Sequence, residues 1–190
     1  IIDIDEISLK GNHNLENVLF IIGIGKILNI PNEVISQFLK TTKALEHRLE
    51  NFFLKQNTLF INDSKGTNVE STIKAIEAFK NRIVLIAGGE NKKICNEELI
   101  KKINERVGFV YLIGETGTIL AEEMNKVGYK KYKNLGTLEK VLLDIKQNID
   151  FEDSQTILFS PATASFDQFK NFEERGRIFK ELTNKILGEK

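Results

Sequence analysis

Cysteine is almost absent from this 190-residue chain. The one present, Cys95, cannot close an internal disulfide, which excludes a disulfide-stapled scaffold and fits a reducing compartment. An excess of either charge is absent too. Lys and Arg number 27 against 27 Asp and Glu, and no Lys/Arg cluster sits beside stacking aromatics, so no footprint for nucleic acid exists. Long apolar runs are missing: the longest, VLFIIGIG from Val18, stops at Lys26 and is too short to span a bilayer. No signal-like leader is visible, and the chain opens IIDIDEI without Met, so a longer polypeptide is expected.

Several catalytic signatures are missing as well. Neither the P-loop spacing GxxxxGK[ST] nor the dinucleotide fingerprint GxGxxG occurs. GIGKI (23–27) imitates part of a P-loop, but Ile27 stands where the magnesium-binding hydroxyl belongs, and the stretch reads as helix. His13 and His47 are too few for a His-rich metal site and no cysteine pair assists them, so no metal site is expected in the chain. No Gly-x-Ser-x-Gly elbow appears, and Cys95 has no motif around it.

What is present belongs to an ordinary globular protein, 41% apolar and 28% charged, of a size for one domain or one and a half. The first part reads as helical, from about Asn12 to Leu28 and again over NEVISQFLK, with Pro31 tolerated in the first turn. NFFLK and TLFIND, separated by Gln56 and Asn57, read as a hairpin. Strands and helices then alternate. IVLIAGG (83–89), VGFVYLIG (107–114) and QTILFSPA (155–162) are short apolar runs. Helix-like segments fall near Asn68–Phe79, Asn96–Glu105, Thr116–Lys126 and Thr137–Asn148. Short strands are expected at Tyr129–Tyr132 and Phe60–Asp63, and a long final helix from about Gln168 to Leu187. Apolar strands separated by amphipathic helices predict an α/β fold, a mostly parallel sheet covered on both faces, with a boundary near His47–Glu50.

Ligands of open α/β sheets bind beyond the carboxyl ends of the strands. Those ends carry NDSKGTN (62–68), GGENKK (88–93), GETGT (114–118) and SPATASF (160–166). Lysines, hydroxyls and clustered backbone N–H groups suit a small anion, although any one of these loops could owe its residues to turns and caps. The residues alone therefore predict a small-anion-binding α/β domain of unassigned chemistry.

The ordered set GNHNLEN (11–17), EHRLE (46–50), INDSKGTN (61–68), GGENK (88–92) and SPATASFDQFKNFEERG (160–176) resembles the C-terminal half of the D-glutamate-adding ligases of the Mur ligase family. The resemblance runs over essentially the whole chain. The SDSK-like and HRLE-like motifs occur across Mur ligases and the related folylpolyglutamate synthases. The last segment is more specific, and the DNPR motif of the diamino-acid-adding relatives is absent.

The resemblance implies residues 1–48 as the end of a central ATP-binding domain and residues 49–190 as a Rossmann-like, amino-acid-binding C-terminal domain. The full protein would be an ATP-dependent ligase of peptidoglycan precursor synthesis. It would join D-glutamate to UDP-N-acetylmuramoyl-L-alanine through an acyl phosphate. ATP and Mg2+ would be held mostly by domains that this chain lacks, which would also contact the UDP-sugar and leave the chain inactive by itself. A cytoplasmic monomer touching neither nucleic acid nor membrane is expected.

By the same resemblance, Thr67 and Lys92 hold one carboxylate of D-glutamate, and Ser165 with the Phe166 and Phe172 backbones holds the other. Asn17 and His47 lie near adenine, Arg48 reaches the phosphates, Asp63 binds the ribose, and Lys65 sits beside the phosphates and the intermediate as the catalytic cation. Alternatives stay open: Asp63 as the cap of the following helix, Asn17 and Lys65 as solvated surface residues, Lys93 in place of Lys92. The phenylalanines are expected to pack the last loop against the sheet. Thr163 replaces the family's Cys, Gly66 its Ala and Asn91 its Asp. The first change should be tolerated, the second should loosen its loop, and the third removes a charge beside Lys92. A free-standing small-anion or docking module, or a folylpolyglutamate synthase, are the other readings, and SFDQFxNFEERG opposes the latter.

Overall fold

The computed structural model describes residues 1–8, 12–42, 45–90 and 97–188, side chains 12–14 excepted. Asn91, Lys92, Lys93 and Cys95 lie outside the described residues. The chain divides into two compact units, Ile1–Glu46 and His47–Lys190.

Among the described residues, the first unit holds a single 3-10 turn, Ile4–Glu6, and two helices, α1 (Asn12–Ile27) and α2 (Asn32–Thr41). Its small core is Ile7, Val18, Ile35 and Leu39. Gly25 lets the helices approach closely, since a Cβ there would stand 2.7 Å from Ile35 Cδ1. Leu19, Phe20, Ile24 and Ile27 of α1 remain 55–80% exposed. A helix apolar on several sides belongs in a protein interior, and this unit supplies too little partner surface to bury it.

The second unit is a six-stranded sheet in the order β1-β2-β6-β3-β4-β5. The strands are β1 (Glu50–Lys55), β2 (Thr58–Asn62), β3 (Arg82–Gly88), β4 (Val107–Ile113), β5 (Tyr132–Gly136) and β6 (Gln155–Phe159). Among the described residues, only the β1–β2 hairpin is antiparallel, and every other pairing is parallel. Gln56 takes a left-handed conformation in the hairpin's tight turn. The central strand β3 is buried along Ile83–Gly88, as expected of a parallel strand covered on both faces.

Alternation along β3 divides the core in two. Leu85 and Ala87 face helices α3 (Val69–Glu77), α4 (Glu97–Arg106) and α5 (Thr116–Lys126), meeting Ile76, Leu99, Ile103 and Leu120. Val84 and Ile86 face α6 (Leu138–Asn148) and α7 (Phe172–Leu187), meeting Val141, Ile145 and Phe179. Phe179 packs edge-on against Phe52, with ring centroids 5.3 Å apart, and lies 4.5 Å from Phe159.

Two of the element bounds that differ from the sequence expectation have a visible cause. The strand expected at Tyr129–Tyr132 begins at Tyr132, because Tyr129 turns inward and donates its hydroxyl to Val107 O. The last helix begins at Phe172, not Gln168. Asn171 caps the helix by accepting from Glu174 N at 2.7 Å, and Glu174 accepts from Lys170 N, just ahead of the cap, at 2.6 Å; together the two bonds fix the start. No helix among the described residues is long and apolar enough to cross a membrane.

Leu85 is fully buried at the centre of the sheet. Leu85→Ala should lower the stability of the second unit by about 2–5 kcal/mol in urea unfolding; a loss under about 1 kcal/mol would contradict this two-sided core.

Candidate functional site

The loops after β2 and β6 are laced together at the carboxyl edge of the sheet. Ser160 Oγ donates to Asp63 Oδ2 at 2.6 Å, Thr72 Oγ1 lies 2.9 Å from Ser160 Oγ, and Ala162 N donates to Gly66 O at 2.9 Å. Ala162 is held at φ 65, a left-handed conformation that turns the chain sharply after Pro161. These bonds tie the loop that carries Lys65 and Thr67 to the loop that carries Ser165.

Arg175, fully buried one turn into α7, completes the lacing. Its Nε donates to Ser64 Oγ (3.0 Å), its Nη2 to Ser64 O (2.9 Å) and its Nη1 to Thr163 O (3.0 Å). Ser64 Oγ in turn donates to Phe172 O at 2.8 Å. One guanidinium thus joins both loops and the start of α7, a geometry that the planar fork of arginine suits and a lysine could not reproduce. Burial pulls its pKa down to about 10, so it remains charged at neutral pH.

A second cluster surrounds His47. The ring is buried, with Nδ1 2.9 Å from Asn62 Nδ2 and its edge toward Phe172. Both His47 (φ 66) and Leu49 (φ 45) are left-handed, an uncommon state for such residues. It is held by bonds from His47 N to Glu50 Oε2, from Lys65 N to His47 O and from Leu49 N to Asp63 Oδ1. Gly176 is required here, because a Cβ would stand 2.3 Å from His47 Nδ1.

The expected site residues fall into distinct environments. Lys65 is exposed, its ammonium 5.9 Å from the Phe172 ring centroid, and Thr67 is half-buried beside it. Arg48 is exposed. Asn17 is an exposed residue of α1 in the first unit. Ser165 is buried, and its carbonyl accepts from Gln168 N and Phe169 N in a tight turn. Lys92 lies outside the described residues. Asp63 is 5% exposed with both carboxylate oxygens already hydrogen-bonded, and it does not cap the following helix; Asn68 does, accepting from Ser71 N at 2.8 Å.

Other expectations need correction. Phe166 does not pack the loop against the sheet: it is 63% exposed, and only Phe169 joins the core below. Gly66 does not loosen its loop either. A Cβ there would stand 2.6 Å from Asp63 Oδ2 and 2.7 Å from Ser160 Oγ, so its lack of a side chain permits tight closure. Thr163 is accommodated at a cost, since its buried hydroxyl lacks a hydrogen-bond partner. Sequence reasoning passed over Arg175, Ser64, Ser160 and Asn62. The signal available was the pairing of a small polar residue at each strand end with an arginine four residues past a helix cap.

Residues 47–163 match the family described as Mur ligase, glutamate ligase domain. Over 190 residues the chain is 46% identical to the UDP-N-acetylmuramoylalanine–D-glutamate ligase of Fusobacterium nucleatum subsp. nucleatum, covering 99% of this chain and 44% of that one. It belongs to the Mur ligase family. The chain thus spans less than half the length of that Mur ligase relative. Its fold is similar to MurF from Acinetobacter baumannii, with a TM-score of 0.67 at 18% identity over 92% of this chain and 39% of that one. A bifunctional folylpolyglutamate synthase/dihydrofolate synthase from Yersinia pestis superposes less well, at 0.55 and 16% identity over 80% of this chain and 34% of that one. Such likeness at low identity shows the Mur ligase fold alone, a Rossmann-like α/β sheet.

Burial pushes the Asp63 carboxyl up to about 6 from its ordinary 3.8, against the pull of its hydrogen bonds. Between those values the folded chain holds the extra proton, so this group's contribution to stability falls as pH rises from about 4 to about 6. Comparing wild type with Asp63→Asn in urea at pH 4 and pH 7 isolates it. The wild type should lose roughly 2–3 kcal/mol relative to the variant, and a difference that does not change with pH would refute the burial argument.

Proposed function

We propose that this chain is the C-terminal part of an ATP-dependent ligase that adds D-glutamate to UDP-N-acetylmuramoyl-L-alanine in the cytoplasm. Residues 1–48 would end a central ATP-binding domain and residues 49–190 would form the amino-acid domain. The observation that carries this reading is the lacing of the SKGT and SPATASF loops by Arg175, which ties the loop of Lys65 and Thr67 to the loop of Ser165. The 46% identity to a ligase of that name supports the same substrate. The exposed apolar side chains of α1 support the domain reading, being the surface that the rest of an ATPase domain would cover.

In this proposal ATP phosphorylates the terminal carboxylate of the UDP-sugar peptide. The amine of D-glutamate attacks the acyl phosphate, and phosphate leaves through a tetrahedral intermediate. The chain contributes positioning and charge. Lys65, an exposed cation at the rim, neutralises charge on the phosphates and the intermediate. Thr67 and Lys92 take one carboxylate of D-glutamate. Ser165 and the N–H groups of Phe166 and Phe172 take the other, and the Phe172 N–H is among the unpaired donors at the start of a 16-residue helix.

Arg48 meets the ATP phosphates and Asn17 the adenine. His47 and Asp63, the other residues proposed for the nucleotide, are buried and already hydrogen-bonded. Magnesium arrives with ATP. Asp63, with both oxygens engaged, is no ready ligand for it.

The isolated chain lacks those domains and should bind D-glutamate at millimolar affinity, roughly −4 kcal/mol. NMR titration should move the amides of Thr67, Ser165 and Phe166, more with D- than with L-glutamate. Lys92→Ala should weaken binding more than Lys93→Ala. In the full-length enzyme Lys92→Ala should chiefly raise KM for D-glutamate and Lys65→Ala chiefly lower kcat. Equal responses to both enantiomers, or shifts clustered elsewhere, would sink the assignment.

A further inference from the structure

Asn62, fully buried at the end of β2, has no part in the reading above, yet its amide decides how His47 carries its proton. Three neighbours of fixed polarity orient that amide. Ser64 N donates to Asn62 Oδ1 at 3.2 Å, which places the oxygen on that side. On the other side Nδ2 lies 3.1 Å from Glu50 Oε2 and 3.4 Å from Gly176 O, a carboxylate and a carbonyl that accept. A flipped amide would set its oxygen against both acceptors and its nitrogen against the Ser64 N–H.

The same Nδ2 stands 2.9 Å from His47 Nδ1. With an N–H donor aimed at it, Nδ1 must accept, and the proton of the neutral imidazole then sits on Nε2. Glu50 Oε2 offers no alternative, since at 3.9 Å it is too far to take a proton from Nδ1. The ring is held to this arrangement from two directions. Its backbone is fixed in the left-handed region by the bonds at His47 N and His47 O, and Gly176 closes on its Nδ1 side, where a Cβ would stand 2.3 Å away.

We propose that Asn62 is a positioning residue for the nucleotide: it locks His47 as the neutral Nε2–H tautomer, so that the ring meets the base as a hydrogen-bond donor. Such a donor pairs with an unprotonated ring nitrogen of adenine. It does not pair with the exocyclic amino group, whose protons would face its own. One buried amide thus sets which edge of the base the imidazole accepts as a partner. The inference rests on reading His47 as a residue of the nucleotide site.

The lock is tested first, on the chain itself, by long-range proton–nitrogen correlation spectra of its imidazoles, with His47→Phe assigning the His47 signals by their loss. Near neutral pH, His47 should show a protonated Nε2 and a bare Nδ1, the latter far downfield. Asn62→Asp keeps an oxygen for Ser64 N but faces Nδ1 with an acceptor, and should move a proton onto Nδ1. A proton on Nδ1 in the wild type, or an unaltered pattern in Asn62→Asp, would overturn the lock. The wild-type spectrum decides the tautomer by itself, even where a variant fails to fold.

The consequence is tested in the full-length polypeptide. Asn62→Asp and Asn62→Leu should each raise KM for ATP about tenfold, with kcat and KM for D-glutamate within about twofold of wild type. The leucine variant removes the lock without adding a charge, so a rise confined to Asn62→Asp would overturn the proposal. Equal losses for both substrates would do the same, since they would mark a general effect on the fold. His47→Phe should raise KM for ATP by at least as much as either. An unchanged KM in His47→Phe, beside the expected wild-type tautomer, would remove the nucleotide reading of His47 and the inference with it, while leaving the lock itself standing.

Discussion

The carboxyl edge of this sheet depends on one buried cation. Arg175 is fully enclosed and gives three hydrogen bonds, two to Ser64 and one to Thr163. Desolvating a guanidinium is expensive, and the arrangement persists because its donors meet carbonyl and hydroxyl oxygens in the plane of the fork. Without it, Ser64 O and Thr163 O would be buried and unpaired, and Ser64 Oγ would lose the neighbour that orients it toward Phe172 O. Charge alone cannot substitute, since a lysine would meet fewer of these oxygens from a single point. The nearby carboxylates Asp63 and Asp167 offset part of the cost by attraction.

This explains the density of polar residues in NFEERG at the start of α7. Asn171 caps the helix, Glu174 holds Lys170 N just ahead of the cap, Arg175 reaches down between two loops, and Gly176 makes room for His47. Each residue type answers a different geometric demand within a single turn and a half of helix. Phe172 adds a ring that meets the edge of His47 and lies under the Lys65 ammonium. The backbone of this turn thus joins the two clusters of the site, while its side chains look in opposite directions.

The architecture was legible because parallel strands buried on both faces read as apolar runs, and IVLIAGG, VGFVYLIG and QTILFSPA do so plainly. Strand order was not legible, since β6 inserts between β2 and β3 through contacts distant in sequence. Tyr129 misled because an aromatic, β-prone residue beside a strand can equally turn inward and donate to a carbonyl, as it does to Val107 O. At the rim, residue types pointed to the right loops but not to the division of labour within them. Lys65 and Thr67 look outward, whereas Asp63, in the same motif, is consumed by Leu49 N and Ser160 Oγ. Only tertiary packing decides which polar side chain of a loop faces solvent. Arg175 was hard to recognise for the same reason, because a charged residue on an amphipathic helix ordinarily reads as solvated surface.

Gly66 and Thr163 show how such a rim tolerates substitution. Lacking a Cβ, Gly66 lets Asp63 and Ser160 close to 2.6 Å over it. A methyl group at that point would have to displace one of the two. Thr163 brings a hydroxyl into a site where the thiol of cysteine would lose less on desolvation, and that hydroxyl finds no partner. Its carbonyl nevertheless keeps the bond to Arg175. The backbone, and not the side chain, is what the lacing uses at position 163, so the residue can vary while the loop stays in place. A site assembled from main-chain oxygens around one guanidinium therefore places its strictest geometric demands on Arg175 and on the glycines that let neighbouring backbones meet.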